Sequence, residues 1–348
     1  MSIVSYTQYF KNLLIASMIT FSSFCLNNSL ISAERSNLSS EFYAGLSMGV
    51  MKVLAPADGR LYSGSGVIIG PGEVLTNCHV IRKSNRISVM KGALSFNVTS
   101  IKKNIHRDLC LLEAPTLNFP AVDLRKTSEM RIGDMVYFYG YPGGADAFFT
   151  EGRVSALHPM EKSLVVKTTA GFSSGGSGGG LFDKNGSLIG ITTFFSAGHS
   201  GGYYALPSDW INDLRRTKKT KVSTIDGLTF WEKNLNEQPN FLKFARYVSD
   251  KNWDEALKFS SQWQLDDPSN YDALLSHGMS LVHFKQSDEA IKILEKARNL
   301  APENANILFE LEKALSGSKN HKKLEDVSKV LKEIDPDGVA AGKCKMAC

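Results

Sequence analysis

From about residue 42 to residue 212 the chain alternates short apolar runs with Gly, Pro and Asn turns. Arg86–Lys91, Met135–Gly140, Ser163–Thr169 and Ser187–Phe195 are such runs. Runs this short, bounded this regularly by turn residues, predict strands of an all-β domain built as two small barrels with a site between them. After about residue 237 the pattern lengthens. Pro268, Pro302 and Pro336 recur at a spacing of 34 residues, each closing a helix tail, and a period of that size predicts stacked helix pairs, three of them over roughly 237–338. The stretch 213–236 between the two patterns contains the basic run Arg215-Arg216-Thr217-Lys218-Lys219-Thr220-Lys221 and reads as a solvated linker.

Composition changes this picture little. With 348 residues, 43% hydrophobic and 22% charged, the chain has the make-up of a globular protein of two domains. Its net charge of +5 is spread along the chain with no aromatic-interleaved basic patch, so a nucleic-acid partner is not indicated. At the N-terminus Lys11 precedes an apolar stretch, Leu13–Leu26, that is short of the about 20 residues a spanning helix needs. It suits a secretory signal with cleavage near Ala33, although Ile31 is large for that site and Phe24 spoils a lipoprotein box at Cys25. Residues 1–33 are therefore expected to be a signal peptide and the protein to be exported, periplasmic or secreted. An uncleaved membrane anchor is the alternative.

The candidate chemistry lies in three stretches. Ser173-Ser174-Gly175-Gly176-Ser177-Gly178-Gly179-Gly180 sits between apolar β-like runs, where a flexible linker is out of place. Glycine serves where φ is positive or backbone must approach a ligand. A serine on such a turn can present its hydroxyl, and the amides of Gly175 and Ser177 can converge on a developing oxyanion. A phosphate loop would want Lys-Ser or Lys-Thr after the glycines, and here Leu181-Phe182 follow. Upstream, His79 ends the apolar run Val74-Leu75-Thr76-Asn77-Cys78, and Asp108 stands at the mouth of Leu109-Cys110-Leu111-Leu112. The order His79, Asp108, Ser177 is that of chymotrypsin-type peptidases.

The chain from about Phe42 to Asn212 resembles a trypsin-like peptidase domain of the bacterial HtrA/Deg type. The resemblance is carried by Gly64-Ser65-Gly66-Val67-Ile68-Ile69, Leu75-Thr76-Asn77-Cys78-His79-Val80, Gly152-Arg153-Val154-Ser155-Ala156-Leu157 and Ala205-Leu206-Pro207-Ser208, in family order. It implies a serine endopeptidase in which His79 is general base, Asp108 orients it, Ser177 is nucleophile, and Gly175 with Ser177 forms the oxyanion hole. No metal or organic cofactor is implied. The specificity pocket would be floored at Gly171, beside Phe172, which argues against cleavage after Lys or Arg and for a small or medium apolar side chain. The chain departs from the family at Gly176, where most relatives have Asp or Asn, and it offers no carboxylate there to pair with a newly clipped N-terminus.

Residues 237–338 resemble tetratricopeptide (TPR) repeats. Leu274, Gly278, Leu281, Ala290, Leu294 and Ala297 fall on that family's signature positions, and Ala256 and Leu324 repeat the tight one. The resemblance implies a groove recruiting a protein substrate or partner, and it leaves self-association open. A catalytically inactive scaffold that binds peptides is the alternative for the whole protein. Of the five cysteines, Cys78 and Cys110 read either as a disulfide bracing the site or as two buried thiols. Cys344 and Cys348 of the tail 339–348 could pair with each other or with another chain.

Overall fold

A helix α1 (Ser40–Gly49) leads into strands β1 (Val50–Ala57), β2 (Arg60–Gly70) and β3 (Glu73–Thr76) and a short helix α2 (Cys78–Ile81). Strands β4 (Ser88–Lys91), β5 (Leu94–Asn97), β6 (Ser100–Asn104) and β7 (Leu109–Glu113) complete the first lobe. The computed structural model describes residues 39–144, 146–196, 202–318, 320–336, 338 and 340. The expected signal segment and Cys344 and Cys348 lie outside them. The chain divides into two compact units, Met1–Tyr43 and Ala44–Cys348, and the architecture that follows is that of the second.

Asp58 and Gly59 join β1 to β2 with φ of 50° and 69°, the left-handed pair that a two-residue hairpin loop requires. In β7, Leu109, Cys110, Leu111 and Leu112 are all buried. The run is continuous and not alternating because β3 and β6 flank the strand and both its faces are covered. The sheet has the order β14-β6-β7-β3-β2-β1-β4-β5, with β14 (Thr220–Lys221) arriving from beyond the second lobe.

The second lobe is a closed barrel of β8 (Met135–Gly140), β9 (Phe148–Met160), β10 (Ser163–Thr168), β11 (Gly180–Phe182), β12 (Leu188–Ser196) and β13 (Gly202–Pro207). The runs singled out in the sequence thus appear as β4, β8, β10 and β12.

A short helix α3 (Ile211–Arg216) follows, and then α4 (Asn240–Ser249), α5 (Trp253–Asp266), α6 (Tyr271–His283), α7 (Ser287–Leu300), α8 (Ala305–Ser316) and α9 (His321–Ile334). The last six form three successive pairs, consistent with a TPR-like region. Pro268, Pro302 and Pro336 each stand two residues past a helix end, where a residue without an N–H stops the helix. Asn270 and Asn304, one period apart, cap α6 and α8 by accepting backbone N–H groups. Gly278 lets α6 and α7 cross closely, since a Cβ there would lie 2.4 Å from Leu294 Cδ2.

The N-terminal ends of α6 and α8 dock on the second barrel. The Tyr271 hydroxyl donates to Leu157 O at 2.6 Å, Asn306 Nδ2 donates to Ser155 O at 2.8 Å, and His158 Nδ1 lies 2.7 Å from Asp272 Oδ2. His158 also stacks on Phe241 of α4 at 4.4 Å. One apolar cluster runs from Val136, Phe138 and Leu181 of the barrel into Leu274, Ile307 and Leu311 of the helices.

Residues 213–236 run over the first lobe and are fastened to it at several points. Arg215 pairs with Glu73 at 2.6 Å and donates to Ile69 O, Lys219 pairs with Glu113, and Thr220 and Lys221 add β14 beside β6. Ile225 and Phe230 are 5% and 0% exposed. The cations Arg215 and Lys219 find carboxylates on the first lobe, Ile225 packs in that lobe's core, and the Phe230 ring lies between His106 and Phe194.

Candidate active site

β3 and β7 pair antiparallel with Thr76 opposite Cys110. That register brings the residues just after β3 beside those just before β7. Cys78 and Cys110 are joined by a disulfide, with Cα atoms 5.0 Å apart, which decides between the two readings of this pair. Asp108 takes a left-handed φ of 54°, a conformation that Asp tolerates better than most residues. The twist turns its side chain back onto α2. There the His79 amide donates to Asp108 Oδ1 at 2.9 Å, and His79 Nδ1 lies 2.6 Å from Oδ2. A carboxylate only accepts, so this contact suits a proton on Nδ1, and in that neutral tautomer Nε2 keeps its lone pair. Asp108 is fully buried, whereas the His79 side chain is 20% exposed. Asn77 seals the corner by donating to Asp108 O at 3.0 Å and Thr193 Oγ1 at 2.9 Å.

Among the described residues one further donor reaches the Asp108 carboxylate. Trp231 Nε1 lies 3.2 Å from Oδ2, and its ring stands edge-on to His79 at 5.4 Å and stacks on Phe194 at 5.3 Å. Sequence reasoning passed over this residue. The signal available was Leu228-Thr229-Phe230-Trp231, an apolar patch inside a stretch otherwise read as linker.

Ser177 lies on the loop between β10 and β11. Gly175 and Gly178 have φ of 89° and 84°, and a Cβ would lie 2.2 Å from Gly143 N at the first and 2.0 Å from Ser65 O at the second. Both positions therefore exclude a side chain twice over, by conformation and by space. The loop is held on both sides. Ser65 N donates to Ser177 O at 2.9 Å, the Thr192 hydroxyl donates to Gly176 O at 2.8 Å, and Gly143 N donates to Ser174 O at 2.7 Å. The amides of Gly175 and Ser177 have no acceptor among the described residues.

The Ser177 hydroxyl donates to Thr193 O at 3.0 Å. Thr193 thus receives Asn77 on its hydroxyl and Ser177 on its carbonyl, which brings the Ser177 loop up to the His79–Asp108 corner. Among the described residues no hydrogen bond joins Ser177 to His79.

The two pocket residues separate. Gly171 accepts from Thr150 Oγ1 at 2.8 Å, and a Cβ there would lie 3.3 Å from the Tyr203 ring. Phe172 is 6% exposed and packs against Phe138 and Tyr203 in the barrel core. A large apolar ring next to an exposed loop is accommodated in the core beneath it. Gly176 is buried, and a Cβ there would lie 2.9 Å from Phe172 Cβ. The departure from Asp or Asn at this position thus has a steric counterpart in the core.

Residues 64–191 match the family model for a trypsin-like peptidase domain. A probable periplasmic serine protease do/HhoA-like of Haemophilus influenzae is 35% identical over 165 residues, which is 43% of this chain and 35% of that protein. The periplasmic serine endoprotease DegP of Salmonella typhimurium is 33% identical over 163 residues, 43% of this chain and 34% of that one. The chain thus spans about a third of the length of the curated relatives it matches. Among solved structures, a protease from M. tuberculosis in its active form shares 23% identity at a TM-score of 0.46, covering 54% of this chain and 86% of that one. An HtrA-type protease, AlgW with tripeptide, shares 26% identity at a TM-score of 0.45, covering 49% and 61%.

Proposed function

We propose, on the premise that this chain carries a trypsin-like peptidase domain related to the HtrA/DegP serine proteases, that it is an exported serine endopeptidase. The peptidase domain spans about 42–212, and the repeats over about 237–338 serve recruitment. What supports the reading is the pairing of His79 with a buried Asp108 next to a serine loop that offers two amides unengaged among the described residues.

In this mechanism the Ser177 hydroxyl leaves the Thr193 carbonyl and turns to His79 Nε2 as a peptide carbonyl arrives. His79 takes its proton while Ser177 Oγ attacks, and Asp108 stabilises the imidazolium that forms. The amides of Gly175 and Ser177 hold the oxyanion. His79 then protonates the leaving amine, and a water activated by the same imidazole resolves the acyl-enzyme. Tyr203 closes down the space over Gly171, which favours a small or medium apolar side chain.

Both curated relatives are named as periplasmic proteases, which supports export. The helix pairs present a surface on which a protein substrate or partner is concentrated near Ser177, through effective concentration without new chemistry. Self-association is read by mass in solution.

The inactive-scaffold reading draws on one observation, the engagement of the Ser177 hydroxyl by Thr193 O instead of His79. A fluorophosphonate probe separates the two readings. Folded wild type should be labelled at Ser177 and Ser177→Ala should not. Labelling that survives the substitution, or a folded wild type that takes no label, removes the endopeptidase.

A further inference from the structure

We propose that Trp231 is a positioning residue for the His79–Asp108 pair, delivered to the site by the segment that joins the β lobes to the helical repeats. The kinetic consequence rests on the endopeptidase reading, whereas the positioning itself does not.

A fully buried Asp108 must have its charge compensated by donors. Oδ1 takes the His79 amide, and Oδ2 takes both His79 Nδ1 and Trp231 Nε1. Without the indole, the only donor to Oδ2 among the described residues would be the imidazole that Oδ2 is meant to orient. An indole N–H donates, never accepts and does not titrate. It therefore fixes the carboxylate without competing for the proton that His79 must exchange. Its ring also covers the pair, keeping solvent from the side facing Phe194, which strengthens the electrostatic hold of Asp108 on His79.

The placement of Trp231 is fastened at both neighbours, and each fastening leads to a different member of the pair. Phe230, fully buried, donates its amide to His106 O at 2.9 Å, two residues before Asp108. Glu232 forms a two-pronged ion pair with Arg82 at 2.8 and 2.7 Å, and Arg82 caps the C-terminus of the helix that begins with Cys78 and His79. The Thr229 hydroxyl and amide close on Glu232, and Gln238 Nε2 donates to Trp231 O at 3.0 Å just before α4. The indole is thus registered against the Asp108 stretch through Phe230 and against the His79 helix through Glu232. A residue that only filled space beside the site would need neither.

The test uses full-length protein and two readouts. One is the rate of inactivation by a fluorophosphonate probe. The other is the downfield proton resonance of His79 Nδ1–H, which reports the geometry of the pair whether or not the protein is an enzyme. Trp231→Phe keeps a ring on Phe194 and removes the donor. It should lower the inactivation rate about tenfold, the worth of one hydrogen bond to a charged group, and should shift and broaden the resonance. Glu232→Gln, which loosens the fastening and keeps the indole, should do the same at roughly threefold.

An unchanged resonance with an unchanged rate in Trp231→Phe makes the indole packing only and overturns the proposal. A faster rate makes it an obstruction and overturns it equally. A wild type that the probe does not label, with a resonance that still moves in Trp231→Phe, removes the endopeptidase and leaves the positioning standing.

Discussion

The Ser177 loop and the His79–Asp108 corner are held in opposite ways. The loop is nearly contiguous in sequence, and its shape follows from what fits, with positive φ at Gly175 and Gly178 and neighbouring atoms where a Cβ would be. The corner draws on three stretches far apart in the chain. A disulfide, a strand register and an indole from residue 231 bring them together. A steric requirement of this kind can be read from a few adjacent residues, whereas an assembly of tethers cannot.

The largest effects test whether the two regions work as one. His79→Ala and Ser177→Ala should each lower turnover by about 10⁴-fold or more, and the double variant should add little, because members of a triad do not act independently. Near-additive losses in peptide hydrolysis would separate loop from corner.

Next come the loop's steric demands. Gly175→Ala places a methyl 2.2 Å from Gly143 N and should disturb one oxyanion donor, a loss of about 10²-fold in kcat. Gly176→Asn should cost less, about tenfold, because the clash is with Phe172 Cβ and Ser173 O at 2.9 and 3.0 Å. Activity at or above wild type in Gly176→Asn would mean the loop repacks freely.

The corner's tethers should show smaller and more separable effects. Ending the chain after Lys221 removes Ile225, Phe230 and Trp231 together with the helices docked on the second barrel, so hydrolysis of even a short chromogenic peptide should fall, by up to about tenfold. Equal activity in the truncated and full chains would make the connector dispensable. Replacing Cys78 and Cys110 by Ser should lower stability by about 3–4 kcal/mol on a chain-entropy model, read as a lower urea midpoint. A midpoint unchanged by the double replacement would show that the register of β3 and β7 holds the corner without the link.

The smallest effect is one of pH. Burial pushes the Glu232 carboxyl up, but hydrogen bonds from Arg82 and Thr229 and the Arg82 charge outweigh it, so the group sits below the ordinary carboxylate range. A depressed folded-state value contributes stability that is present above the unfolded value and lost as pH falls through the folded one. Acidification below the ordinary carboxylate range should therefore loosen the Trp231 segment, and Trp fluorescence should report it. Glu232→Gln should flatten that acid dependence, and an identical profile in the variant would place the loosening elsewhere.

Much of this protein is determined by its sequence alone. The strands β8 and β10, the three helix pairs with their prolines, and the glycines around Ser177 follow from conformational preferences written in neighbouring residues. Those preferences act over one turn or one strand, so a single sequence displays them. Tertiary structure alone decided the rest. It sent Phe172 into the core and paired Arg215 with Glu73 across 142 residues of chain. It docked the ends of α6 and α8 on the second barrel, and it brought Trp231 to Asp108 from 123 residues away. At such separations no local preference chooses a partner. The choice falls to whichever buried charge lacks a donor and whichever apolar surface lacks a cover once the strands have closed.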